Sequence, residues 1–146
     1  MFNMNRPDAK AVIKGGESFP CICGEVLFFQ MKKPVIVRVR ISHLPETVAM
    51  FYGFHIHEGN SCSGDGFSET GGHYDCGDKP HPAHNGDMPP LISCSGEAFM
   101  EFMTNRFCVN EITGRTVVVH GFADDFRTQP SGDAGKKIAC GVIKRV

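Results

Sequence analysis

Val35-Ile36-Val37-Arg38-Val39-Arg40-Ile41 sets Val35, Val37, Val39 and Ile41 on one face of an extended chain and both arginines on the other. Successive side chains of a strand point to opposite sides, so this alternation marks a half-buried antiparallel strand. Outward from it, similar runs recur over 10–14, 24–31, 51–58, 97–103, 116–121 and 138–142. They are rich in Val, Ile and Phe and are separated by Gly, Pro, Asn or Asp. Seven or eight such strands predict an all-β domain, an eight-stranded Greek-key β-barrel or sandwich.

Two segments break the rhythm and give the domain two long loops. Residues 59–91 hold Pro80, Pro82, Pro89 and Pro90 among many glycines, which rules out a helix or a central strand. An unstructured loop of that length in a compact domain requires an ordering agent, and bound metal or a disulfide is the expected one. The second loop, 122–137, carries Asp124, Asp125, Pro130, Gly132, Asp133 and Gly135.

The 146 residues fit one domain. Fifteen Lys plus Arg against sixteen Asp plus Glu give a formal charge of −1, which removes the electrostatic case for a nucleic acid or an anionic membrane as partner. No run approaches the ~18 apolar residues of a membrane span, and the stretch from Met1 to Asp8 has no apolar core or cleavage site. If Met1 is the native start, a cytoplasmic protein is expected. Seven cysteines are an odd number for a disulfide framework, and no C-x-x-C pair suggests a thiolate zinc site. Metal chemistry is therefore sought among the seven histidines.

His55-Ile56-His57 lies in an expected strand, where residues i and i+2 share a face with Cα atoms about 6.5 to 7 Å apart. Two imidazoles so placed can converge on one ion, although alone they are equally a pair of satisfied polar side chains. His73, His81, His84 and Asp87 follow in the proline-rich loop; three nitrogens and a carboxylate make a closed tetrahedral set suited to structural Zn²⁺. His120 ends the apolar run 116–120, where a histidine by itself is an ordinary polar residue.

Taken in order, G-F-H-I-H-E, G-G-H-Y-D, H-P-A-H-N-G-D, G-R-T-V-V-V-H, A-D-D and A-C-G-V-I resemble the copper/zinc superoxide dismutase family motif for motif. The resemblance covers about residues 10–146, leaving 1–9 as an N-terminal extension. It implies copper ligands His55, His57, His73 and His120, zinc ligands His73, His81, His84 and Asp87, and His73 as the bridge between the ions. It implies conversion of superoxide to oxygen and hydrogen peroxide by alternate reduction and reoxidation of copper, Cu(II)/Cu(I). His73 gains and gives a proton, and Zn(II) stays redox-silent. Asp124 matches the family's carboxylate that links a copper-bound and a zinc-bound histidine, here His55 and His81. Asp125 is read as a solvated acid.

Cys62 and Cys140 fall where the family has its intrasubunit disulfide. Closing about 80 residues contributes at most about 4.5 kcal/mol in the chain-entropy model. Cys21, Cys23, Cys94 and Cys108 match no family role and are read as small buried hydrophobes or free thiols. Cys76, between His73 and His81, is placed to compete for zinc. Where the family usually has an arginine beside the copper channel this chain has Lys137, a compact mobile charge in place of a planar fork. An active enzyme that is slower or more salt-sensitive is expected, with Lys136 as a solvated neighbour. Only two residues separate His81 from His84, which resembles bacterial members. His43 lies outside every motif and is read as an ordinary polar residue. Two other readings stand beside catalysis: a zinc-stabilised relative that binds or stores copper without efficient turnover, and a zinc hydrolase, which the closed His₃Asp set disfavours. A homodimer is compatible with the family.

Overall fold

A computed structural model describes residues 4–146 of the chain. Among the described residues the strands are β1 Ala9–Gly15, β2 Cys23–Gln30, β3 Val35–Ser42, β4 Phe51–Tyr52, β5 Phe54–His57, β6 Leu91–Ile92, β7 Ala98–Thr104, β8 Thr116–His120 and β9 Lys137–Arg145, with a helical turn α1 Val109–Ile112 and, inside the first long loop where no helix was expected, a kinked 3₁₀ segment Asp65–Thr70 ahead of the prolines. In β3 the alternation holds: Val35, Val37, Val39 and Ile41 are buried, while Arg38 pairs on the outside with Glu101 at 2.7 Å. Each fully buried aliphatic side chain of this kind contributes about 1.5–3 kcal/mol of transfer free energy.

Seven strands form one antiparallel sheet in the order β5-β8-β9-β1-β2-β3-β7, and β4 pairs with β6 as a separate ribbon. The run expected over 51–58 is broken at Gly53, so that Phe51-Tyr52 pairs with Leu91-Ile92 and Phe54–His57 pairs with β8. Counted as one interrupted run, β4 and β5 restore the expected eight. Since β6 lies against β7, the ribbon spans the gap between the two edges of the long sheet and closes a curled barrel. The core holds Ala11, Ile13, Val26, Phe28, Phe54, Ile56, Val117, Val119 and Ile143 from facing strands.

The residue at this break must be glycine for a steric reason. A Cβ there would stand 2.6 Å from the Ala134 Cβ and 3.2 Å from the His120 Cβ, so only glycine lets the second loop pack on this corner. The first long loop is not free either. Its backbone runs antiparallel beside β5, with Ile56 N donating to Gly86 O, Tyr74 N to Ile56 O and Glu58 N to Gly72 O. It thereby covers the sheet edge that β5 would otherwise expose. A disulfide joins Cys62 at the start of this loop to Cys140 in β9, 78 residues away. The extension expected over 1–9 begins outside the described residues, and Ala9 is already paired with Phe28 and Arg145. No helix among the described residues is long and apolar enough to cross a membrane.

Candidate metal centre

Alternation along β5 divides its side chains between two buried environments. Phe54 and Ile56 enter the barrel core, while His55 and His57 leave on the outer face beneath the two long loops. The neighbouring strand β8 is buried throughout, and its pairing with β9 slips between Val119 and His120. The slip makes Lys137 the partner of His120 and leaves Ile138 as the extra residue. It turns the His120 ring toward β5, the usual effect of a bulge beside a site. The ring centroids of His57 and His120 are 5.3 Å apart, and those of His55 and His73 are 4.0 Å apart.

The loop brings the remaining donors. Bridges pair His57 with His73 and His55 with Asp87, so the β5 register fixes where the loop's ligands stand. The result is two groups of donor atoms, each within 4.8 Å of one another: His55, His57, His73 and His120, and His55, His73, His81 and Asp87. His55 and His73 belong to both, and His84 belongs to neither. His84, expected in the second set, has its Nδ1 3.1 Å from Asp87 Oδ2, as does His81.

Outer hydrogen bonds assign the proton on each ring. His55 Nε2 donates to Asp124 Oδ2 at 2.7 Å and His81 Nε2 to Asp124 Oδ1 at 2.8 Å, so the two rings share one carboxylate. His57 Nδ1 donates to Gly71 O and His120 Nδ1 to Gly135 O. Each of these rings is thus left with one lone pair, and the lone pairs point inward. Burial holds the His57 pKa down to about 2 and that of His120 to about 3, aided by neighbouring charge from His120 and His55 respectively, so both rings are neutral ligands at ordinary pH. Burial pushes the Asp124 carboxyl upward, but hydrogen bonds from His55, His81 and the Phe126 N–H outweigh it and hold the pKa to about 2.

These donors fit cations. His55 Nδ1, His73 Nε2, His81 Nδ1 and His84 Nδ1 are buried with no hydrogen-bond partner, and His57 Nε2 faces His120 Nε2 at 3.1 Å, lone pair to lone pair. A fold that buries unpaired nitrogens at a cost of about 1–3 kcal/mol each requires a compensating group, and a metal ion supplies one. Imidazole sets suit copper, and nitrogens with a carboxylate suit zinc.

Several residues complete the frame without a motif to announce them. Gly132, at φ +74°, is needed because a Cβ would sit 2.1 Å from Asp124 Oδ1 and 2.6 Å from His81 Nε2. Gln129 holds the His81 backbone through both its N–H and its carbonyl. Arg106 Nη1 donates to the Pro82 and His84 carbonyls and so buckles the loop around the second donor group. The only signal for these in the sequence was glycine or a polar residue in a loop, which is common everywhere.

Lys137 Nζ donates to Thr70 Oγ1 at 2.7 Å and to Gly71 O at 3.0 Å, the same carbonyl that receives His57 Nδ1. It is therefore a clamp on the loop as well as a charge, and burial lowers its pKa. Asp125 and Lys136 are exposed, as read. Cys76 turns away from the histidines: its thiol donates to Asn85 Oδ1, and it belongs to neither donor group. The five cysteines outside the disulfide are free, but Cys21, Cys23, Cys76 and Cys94 are exposed, not buried hydrophobes. They lie on turns or outer faces, where no core reaches them.

The model of the family described as copper/zinc superoxide dismutase matches residues 22–143. Superoxide dismutase [Cu-Zn] 1 of Aquifex aeolicus is 31% identical over 136 residues, covering 83% of this chain and 79% of the relative. The Legionella pneumophila enzyme is 31% identical over 133 residues, covering 86% and 80%, and that of Deinococcus radiodurans is 34% identical over 116 residues, covering 65% and 64%.

Proposed function

From the premise that the chain belongs to the copper/zinc superoxide dismutase family, we propose that His55, His57, His73 and His120 hold copper and that His73, His81, His84 and Asp87 hold zinc, with His73 shared. The chain is an oxidoreductase whose substrate is superoxide and whose metals are copper and zinc. When bound, copper would supply a one-electron Cu(II)/Cu(I) couple, able to take an electron from one superoxide and return it to a second. The observation that carries the ligand assignment is His73: Nδ1 stands 2.7 Å from Asp87 Oδ1, while Nε2 is buried without a partner in the first donor group.

The residues divide the work. Asp124 fixes the tautomers of His55 and His81 together, so one carboxylate aims a ring at each metal. The Gly71 and Gly135 carbonyls do the same for His57 and His120. With copper bound, His73 would take a proton at Nε2 when that nitrogen is free and give it to the reduced oxygen species, which would draw its second proton from solvent and leave as hydrogen peroxide. Of the three Lys137 N–H bonds two are engaged, and the third is available to an approaching anion.

Superoxide disproportionation is measured after stoichiometric loading with copper and zinc, beside the Cu(II) visible and EPR spectra before and after zinc is added. Activity with a zinc-dependent change in the copper spectrum is expected. A copper spectrum indifferent to zinc overturns the bridging role of His73, and a fully metallated but inactive protein overturns the catalytic reading in favour of copper storage.

A further inference from the structure

One set of metal-ligating side chains lies apart from the histidine centre. In Cys21-Ile22-Cys23 the isoleucine is buried and both cysteines are exposed and outside any disulfide. Cys21 ends the turn that leads into β2, and Cys23 is the first residue of that strand. Cys23 opens β2 and pairs with Ser42, the last residue of β3, so that His43 follows beside it. The His43 Nδ1 lies 3.9 Å from Cys23 Sγ.

That separation is at the outer limit for a hydrogen bond to sulfur, and it suits two ligands of one ion. Metal bonds of about 2.3 Å to sulfur and about 2.0–2.1 Å to nitrogen place the donors about 3.5–4 Å apart around a tetrahedral or trigonal centre. We propose that Cys21, Cys23 and His43 form a surface site for a soft monovalent metal ion, Cu(I). Cys23 and His43 are already adjacent, and Cys21, exposed two residues before Cys23, is the third donor of the proposed site. Thiolate and imidazole donors select soft ions, and three of them satisfy Cu(I), whereas structural Zn²⁺ takes four. Two thiolates around one Cu(I) carry a net charge of −1. Lys14 is directly opposite Cys23 on β1, where cross-strand side chains are neighbours, and its ammonium offsets that charge. The site is open to solvent and to exchange, unlike the buried histidine centre.

The test uses the copper- and zinc-loaded enzyme, reduced with ascorbate under argon so that the central sites are filled. Cu(I) is added from acetonitrile solution, excess is removed with a bicinchoninate chelator, and copper per chain is counted. One further Cu(I) per chain is expected, with sulfur and nitrogen neighbours in its X-ray absorption spectrum. The double variant Cys21→Ser/Cys23→Ser, altered only at exposed positions, is expected to lose that equivalent while keeping its dismutase activity. His43→Asn is expected to weaken retention about 10-fold or more, and Cys94→Ser is expected to leave it unchanged. Absence of the extra equivalent in the unaltered protein, its survival in the double variant, or retention of Zn(II) in preference to Cu(I) overturns the proposal.

Discussion

Replacing Asp124 with asparagine removes a single charge at the point where both halves of the metal centre are tied together. The carboxylate accepts from His55 Nε2 at 2.7 Å, His81 Nε2 at 2.8 Å and the Phe126 N–H at 2.7 Å. An amide presents one oxygen and one NH₂, so it can accept from one imidazole but must meet the other donor to donor. The second ring then shifts its proton to Nδ1, the atom that otherwise faces a metal. Buried hydrogen bonds to a charged group contribute about 1.5–3 kcal/mol each, and loss of such a partner lowers metal affinity about 10- to 100-fold. Asp124→Asn is therefore expected to weaken zinc or copper binding by about that factor, equivalent to about 1.4–2.7 kcal/mol. Chelator competition for each metal measures it, and far-UV circular dichroism confirms that the barrel persists. Both affinities remaining within about 3-fold of the unaltered protein would refute the argument that one carboxylate sets both tautomers.

Three further outcomes follow from the same frame. Lys137→Ala is expected to slow superoxide capture by about 10-fold at low salt and to flatten the dependence on ionic strength, while Lys137→Arg keeps both; a rate and salt slope that do not move in the alanine variant remove Lys137 from steering. Gly132→Ala forces a side chain into the left-handed region and against Asp124 and His81, and is expected to cost about 1–3 kcal/mol of stability and to loosen zinc, read by thermal unfolding and zinc competition. In the metal-free protein the folded-state pKa values of His57 and His120 lie far below the unfolded value of about 6.5, so the unfolded chain binds more protons once pH drops below it. Stability of the apoprotein is expected to be whole above that pH and to fall on acidification toward about 3. Asp124 adds to the loss only below about 4, and urea midpoints that stay level from pH 7 to 5 contradict the sign.

Much of the centre was legible as a one-dimensional pattern because its chemistry is carried by residue type. Five histidines and an aspartate that the motifs single out meet in the two donor groups, and period-2 hydrophobicity in residues 35–41 defines the strand chassis. Each of these is a local property of the chain, and β5 shows the limit: the pattern over 51–58 predicted one strand, but the chain changes partner at Gly53, from Leu91-Ile92 to β8. The fate of the unassigned cysteines was equally hidden, since burial depends on which face a distant strand covers.

What the sequence determined by itself, then, was which residue types can serve as donors, the all-β class and the presence of two loops needing an anchor. Only the tertiary structure decided which nitrogen of each ring is free, because that depends on the Gly71 and Gly135 carbonyls and Asp124, which come from elsewhere in the chain. It also decided that Lys137 is tethered to the carbonyl that steadies His57, and that Cys23 stands beside His43. Hydrogen bonds and metal bonds act over a few ångströms in space, whereas sequence spacing constrains distance only within one element. Contacts between elements are set by register and packing.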